Sequence, residues 1–302
     1  MSKPYPGHWI LRTLLFTAGH NEKYIEKALY SDADCIVLDL EDAVPVGLKE
    51  KARNLIRQVL SGTLPSNKPI MVRINPIETG MTLVDLDSVA CKNLCGFIYP
   101  KPYRKDDIKV FDAQLSLKEK ILGLEVGHFD IIPLIETPMA VLNSYEIATA
   151  SPRVIGLLFG CEDFLADMES DYGPEQRSLL LPRHLLCLAA RAANVVPIDT
   201  PCVQVYNDAY LKEHIQQAKE LGFEGMLVMT PHQIEIARES YTPSDEEVAE
   251  AAKIVQFADD ALKNNRGIAM YENRFISPPT LKGARKILRR SEAIKSFEDS
   301  LK

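Results

Sequence analysis

The stretch IIPLIETPMA (131–140) sets five apolar or proline positions in a row and then a carboxylate, Glu136, ahead of a Thr-Pro turn. An apolar run without polar alternation belongs to a strand covered on both faces, as in a parallel sheet packed beneath helices. Glu136 then stands where such a strand leaves its cover. With the flanking residues the strand reads FDIIPLIET (129–137), and other runs of the same character lie on either side of it. They are LRTLLFTAG (11–19), DCIVLDLED (34–42), KPIMVRINP (68–76), CGFIYPKP (95–102), RVIGLLFGCED (153–163), VVPIDTP (195–201) and FEGMLVMTP (223–231). Between them come stretches such as NEKYIEKALYSDA, KEKARNLIRQVLS, LLPRHLLCLAARAAN and DAYLKEHIQQAKELG, whose apolar residues recur at three-and-four spacing, the period of an amphipathic helix. Eight such units predict an α/β chain folded as a parallel (β/α)8 TIM barrel. A doubly wound sheet shares the alternation but normally carries a Gly-rich phosphate turn after its first strand; TAGHNEKY offers one glycine there.

After the eighth strand the pattern changes. SDEEVAEAAKIVQFADDALKNN (244–265) opens with Pro243 and Ser244 and places Asp245, Glu246 and Glu247 in its first turn, a helix start that suits the positive end of the helix dipole. A loop from Arg266 to Pro279 and a last helix, KGARKILRRSEAIKSFEDSLK, follow. The barrel is expected over 1–243. Residues 244–302 are expected to be a helical extension, a subunit contact or a lid rather than an independent domain.

The chain has 302 residues, 46% hydrophobic and 25% charged, with a formal net charge of −7. A mildly acidic protein without a Lys/Arg-rich block has no footprint for nucleic acid, although a local basic pocket can still take a small anion. No apolar run approaches the roughly 20 residues that cross a bilayer, and MSKPYPGHWI holds no cleavable apolar segment, so a cytoplasmic protein without a membrane partner is expected. Of the six cysteines, only Cys91 and Cys95 are close in sequence, with no second pair or nearby histidine to make a zinc site. Reduced, buried thiols are the expectation.

In a barrel of this kind the chemistry collects at the C-terminal ends of the strands. Strand two ends in Asp39, Glu41 and Asp42, strand three carries Arg73 and Asn75, and strand four ends at Lys101. Strand five ends in Glu136, strand six in Glu162 and Asp163, and strand seven in Asp199. A single polar residue at a strand end marks only where the chain meets water. So many acids on one rim would repel one another without a counter-charge, and oxygen donors of this kind suit Mg2+ or Mn2+.

The ordered set LDLEDAV (38–44), KEKAR, VRINP (72–76), YPKP (99–102), PLIETPMAVLN (133–143), FGCEDFLADM (159–168) and GFEGMLVMTPHQI (222–234) resembles the motifs of the citrate lyase beta subunit and HpcH/HpaI aldolase family. The resemblance covers roughly 11–260. It implies a (β/α)8 barrel, typically a homotrimer or hexamer, that uses Mg2+ to make or break a carbon–carbon bond in small hydroxy-diacids or their acyl-CoA thioesters. Position by position it implies that Glu136 and Asp163 bind the metal and that Arg73 holds the substrate's carboxylate or carbonyl oxygen, with Glu136 beside the substrate. Glu41 and Asp42 would order metal-bound waters and orient Arg73. Cleavage of a 3-hydroxy acyl compound leaves charge on an enolate oxygen, which a divalent cation and a guanidinium stabilise.

This chain departs from the family pattern in three places. Ala18-Gly19 stands for Pro-Gly, and Gly225-Met226 with Thr230-Pro231 stands for Gly-Lys with His-Pro. In the tail motif Met-Ile-Asp-x-Pro, whose aspartate reaches a neighbouring subunit's site in several thioester-cleaving members, this chain has FISPP, with Ser277 in place of the acid. A serine cannot act alone as that base. Either the base is Glu162, Asp199 or His232, or the reaction differs, or the chain is a non-catalytic keto-acid or acyl-thioester binding partner of a lyase assembly.

Smaller signals complete the reading. His184 reads as a structural histidine of an apolar helix, and Arg183 as a substrate contact or the partner of a rim carboxylate. Trp9 reads as cover for the barrel bottom or a subunit contact, His20 as a rim residue, and Lys282 to Arg290 as a solvated basic helix face.

Overall fold

The structure is a computed structural model that describes residues 9–173, 176–263, 270–271 and 274–301. Eight parallel strands close into a barrel in chain order: β1 (Thr13–Ala18), β2 (Cys35–Asp39), β3 (Ile70–Arg73), β4 (Gly96–Pro100), β5 (Asp130–Ile135), β6 (Gly156–Phe159), β7 (Val196–Asp199) and β8 (Gly225–Val228). The ring shuts where β8 pairs with β1, Thr13 opposite Met226 and Leu15 opposite Val228. Helices α1 (Glu22–Leu29), α2 (Lys49–Ser61), α3 (Thr82–Val89), α4 (Lys105–Leu122), α5 (Pro138–Leu142), α6 (Ser144–Ala148), α7 (Cys161–Asp167), α8 (Arg177–Ala193), α9 (Asp208–Leu221) and α10 (Pro231–Tyr241) fill the connections. The expected TIM barrel is the observed one.

The inner face explains the uniform hydrophobicity of the strands. Leu14, Val37, Met71, Ile98, Ile132, Leu134, Leu158 and Ile198 pack together inside the ring. The alternate residues, among them Ile36, Val72, Phe97 and Leu157, are buried on the outer face of the strands. Closure is tight enough that a Cβ on Gly225 would lie 1.7 Å from the Leu11 carbonyl oxygen, so glycine is required where β8 meets the start of β1. Trp9 packs against the same core and, with Cys35, Pro69 and Cys95, lines a small cavity at the N-terminal ends of the strands, the bottom cover expected of it. The Arg12 guanidinium donates to both carboxylate oxygens of Asp34 at 2.8 Å, a buried pair at that same end.

The strands are shorter than the sequence pattern suggests, because the polar residues that follow them enter loops and turns or, at Glu162 and Asp163, the first turn of a helix. Side chains supply the starts of the next helices. Asn21 accepts from the Tyr24 N–H, Thr137 from Ala140 and Asn207 from Tyr210, satisfying orphan donors at the first turns of α1, α5 and α9. All these turns face the C-terminal rim.

The chain divides into two compact units, one ending at Glu239 and the other starting at Ser240; the expected break at 243/244 lies just beyond. The second unit contains α11 (Asp245–Lys263), a pair of two-residue antiparallel strands, β9 (Met270–Tyr271) and β10 (Arg274–Phe275), and α12 (Pro278–Ser300). A hairpin thus replaces part of the expected loop, whose residues 266–269 and 272–273 lie outside the described ones. Helices α11 and α12 pack on each other, and the Tyr271 hydroxyl donates to Glu250 at 2.8 Å. Ser277 caps α12, its hydroxyl accepting from the Thr280 N–H at 3.3 Å. Among the described residues no helix is long and apolar enough to cross a membrane, and all six cysteines are free.

Candidate active site

Register builds the site. Asp39 ends β2 and Arg73 ends β3, and the two are direct partners in the ladder. At that height Arg73 Nε donates to Asp39 Oδ1 at 2.7 Å and Nη2 to Oδ2 at 2.6 Å, a planar fork against a buried carboxylate. Burial alone would push Asp39 up, but the charge and hydrogen bonds of Arg73 and two backbone N–H groups outweigh it, holding the carboxyl below its ordinary range. Phe16 of β1 lies under the guanidinium at 5.3 Å. Clamped in this way, Arg73 points its remaining nitrogen, Nη1, at Glu41, 2.8 Å from Oε2.

Glu41 sits in the turn after β2, 4% exposed. Its Oε2 touches Arg73 at ion-pair distance without hydrogen-bond alignment, so it is a buried oxygen with no hydrogen-bond donor. Burial, with Asp42 and Asp39 adding to it and Arg73 and Lys101 opposing, raises the Glu41 carboxyl to about 7. Asp42, the other residue expected to orient Arg73, is exposed and stays 3.7 Å from Nη1. The fork that orients Arg73 comes from Asp39, a residue the sequence reading placed on the rim without a role.

Glu136 follows β5 directly and is 2% exposed. Its Oε1 accepts from the Lys101 backbone N–H at 3.1 Å. Burial raises its carboxyl well above the usual range, and the nearby charges of Glu41 and Asp163 add to that. Gly160, just after β6, approaches it so closely that a Cβ there would lie 2.8 Å from Glu136 Oε2. Asp163 is not on strand six as expected: Gly160 is the N-cap of α7, and Asp163 lies in that helix's first turn. From there its carboxylate reaches the same cluster, 3.3 Å from the Lys101 ammonium, which is also 3.6 Å from Glu41. The structure therefore gathers Arg73, Glu41, Glu136 and Asp163 on one rim around Lys101.

The second layer is a buried relay. Lys49 donates from one ammonium to the Leu40 and Glu41 carbonyls and to Asn75 Oδ1, at 2.6–2.7 Å. Asn75 in turn donates to Asp85, which pairs with Arg53 at 2.7 Å. This chain ties the turn that carries Glu41 to the end of β3.

The acid cluster fits a divalent cation. It carries an excess of buried carboxylate, it has an oxygen without a donor, and Asp163 lies close enough to Glu136 for its charge to raise the proton affinity of that carboxyl. Among the described residues no three His, Cys, Asp or Glu side chains form a cage for an ion. Two carboxylates with water and substrate oxygens suffice for Mg2+, which keeps much of its hydration.

The residues expected as bases separate clearly. Asp199 is fully buried between Arg183 and His214, and these two outweigh burial to hold its carboxyl below the ordinary range. Arg183 thus pairs with a rim carboxylate, one of its two expected roles. Glu162 lies in the first turn of α7 beside Tyr172. His232 Nε2 is 2.7 Å from Asp208 Oδ1, both half exposed at the starts of α10 and α9. His20 keeps a buried Nδ1 without a partner next to β1. His184, expected as a structural histidine, is exposed on α8.

Comparison with known proteins follows the same lines. The model of the HpcH/HpaI aldolase/citrate lyase family matches residues 12–231. The citrate lyase subunit beta of Haemophilus influenzae is 30% identical over 282 residues, 93% of this chain and 97% of that one. A (3S)-malyl-CoA thioesterase of Cereibacter sphaeroides is 28% identical over 96% of this chain and 97% of its own. Among solved structures, CitE from Mycobacterium tuberculosis in complex with magnesium, acetoacetate and coenzyme A superposes with a TM-score of 0.72 at 27% identity, covering 93% of this chain and 98% of the other. A citrate lyase from Burkholderia xenovorans shares the fold with a TM-score of 0.84 at 21% identity, covering 95% of this chain and 93% of its own.

Proposed function

The chain belongs to the HpcH/HpaI aldolase/citrate lyase family, and on that premise we propose that it is a Mg2+-dependent carbon–carbon lyase acting on a 3-hydroxy diacid or its acyl-CoA thioester. The observation that carries this reading is the rim cluster in which Arg73 stands beside Glu41, Glu136 and Asp163. Glu136 and Asp163 are the side chains that would hold the ion, whose bound charge stabilises an oxyanion developing on the substrate. Mg2+ is the ion of the Mycobacterium tuberculosis relative.

The chain's own residues account for the rest. Asp39 and Phe16 fix the plane of Arg73, so the guanidinium meets a substrate carboxylate or carbonyl without reorganising. Glu41, largely shielded from water and raised to about 7, can exchange a proton or hold a water at neutral pH. A base must take the hydroxyl proton as the carbon–carbon bond breaks. Asp199 is locked between Arg183 and His214, leaving Glu162 and the Asp208-supported His232. The products are a keto acid and an acid or acyl-CoA. By the family's habit the protein is read as a homo-oligomer, a trimer or hexamer.

Ser277 motivates a second reading, a binding partner that keeps the pocket without turnover. One assay separates them. Purified protein with Mg2+ is offered malyl-CoA, citramalyl-CoA, citryl thioesters and the free hydroxy acids, and keto acid release is followed. Release from at least one of them, abolished by chelator, is the expected result. Keto-acid binding without any release would establish the second reading.

A further inference from the structure

Lys101 holds a backbone conformation that lysine rarely adopts. Its φ is +48°, in the left-handed region that costs a residue with a Cβ about 1 kcal/mol or more. Glycine would sit there without strain, and a turn could have been built otherwise. The strained backbone aims the N–H at Glu136 Oε1, 3.1 Å away, while the side chain runs between Glu41 and Asp163 and ends 3.6 and 3.3 Å from their oxygens. One residue therefore touches all three carboxylates of the cluster.

The charges define its task. The ammonium lies within ion-pair distance of both Glu41 and Asp163. It is a fixed positive charge among the oxygens that would receive Mg2+. The side chains are graded in exposure, Glu41 at 5%, Lys101 at 26% and Asp163 at 38%, so the Asp163 end opens to solvent. An ammonium can leave by that side.

We propose that Lys101 is an internal counter-ion that competes with the divalent cation for Asp163 and Glu41, sets the metal affinity, and swings toward the mouth when the ion binds. The inference rests on Glu136 and Asp163 being the metal ligands. Without the ammonium the carboxylates would repel one another in the metal-free protein and attract Mg2+ more strongly.

The test is calorimetric titration of Mg2+ into metal-free wild type, Lys101→Gln and Lys101→Arg, with melting curves of each with and without Mg2+. Lys101→Gln should bind Mg2+ about tenfold more tightly. It should also melt lower than wild type without the ion and recover with it, while Lys101→Arg keeps wild-type affinity. Equal or weaker Mg2+ binding by a folded Lys101→Gln overturns the inference alone. Absence of binding by every protein, wild type included, overturns the metal assignment and the inference with it. If Lys101→Gln does not fold, Lys101→Met is titrated in its place and read by the same criterion.

Discussion

Arg73 and Asp39 face each other across the β2–β3 ladder, and the guanidinium meets both carboxylate oxygens at 2.7 and 2.6 Å. Asp39→Asn removes the counter-charge and half the fork while leaving Arg73 buried. Breaking such a pair costs about 3–5 kcal/mol, measurable by urea denaturation. The catalytic loss should be larger than the stability loss explains, because the guanidinium plane of Arg73 is no longer fixed by two parallel hydrogen bonds. Arg73→Lys, which keeps the charge and loses the fork, should lower kcat about 100-fold or more.

Glu136→Gln and Asp163→Asn each remove a proposed ligand. Mg2+ affinity measured by titration calorimetry should fall at least about 100-fold for either variant. Glu136→Gln also relieves a buried charge, so the metal-free protein should melt no lower than wild type. Asp163, half exposed, should be neutral to stability.

Glu41 sets a pH dependence whose sign follows from its environment. Its carboxyl is raised from 4.5 to about 7 in the fold, so the ionised form is disfavoured there relative to the unfolded chain. This group's contribution to the stability of the metal-free protein is intact below pH 4.5 and erodes as the pH rises toward about 7. Chemical denaturation of wild type and Glu41→Gln in chelator, at about pH 5 and about pH 8, should show wild type losing ground to the variant at the higher pH. A constant difference between the two would contradict the assignment.

Ser277→Asp separates two roles at one position. Serine and aspartate cap helices about equally well, so stability should change by less than about 0.5 kcal/mol. If the missing acid is what limits thioester chemistry, CoA release from malyl-CoA should rise in the variant while keto-acid binding stays constant.

Much of this was legible in the chain. Uniformly apolar strands between amphipathic helices announce a covered parallel sheet, and the acids after them announce a rim. The abrupt stop of IIPLI at a charge marks Glu136 as the end of its strand, and the ladder ends one residue earlier, at Ile135. Asp163 was put on a strand because GCED continues an apolar run, yet Gly160 starts a helix there without any side-chain cap to signal it. The Asp39–Arg73 fork was not legible, since a sequence shows which residues end strands but not which strand ends stand level. Nor was the turn at Lys101, because left-handed backbone is foretold by glycine or asparagine. The β9–β10 hairpin has two residues in each strand, too few to carry a period.

The backbone of Gly160 is ordinary, with φ −109° and ψ 94°, and nothing in it calls for glycine. What calls for it is the body of Glu136, 2.8 Å from where a methyl group would begin. Adding that methyl would therefore alter no charge, yet it would tilt a carboxylate proposed to face an ion. Inventories of charged side chains will pass over such a position, and a lesion there would look, in a binding curve, like the loss of an acid.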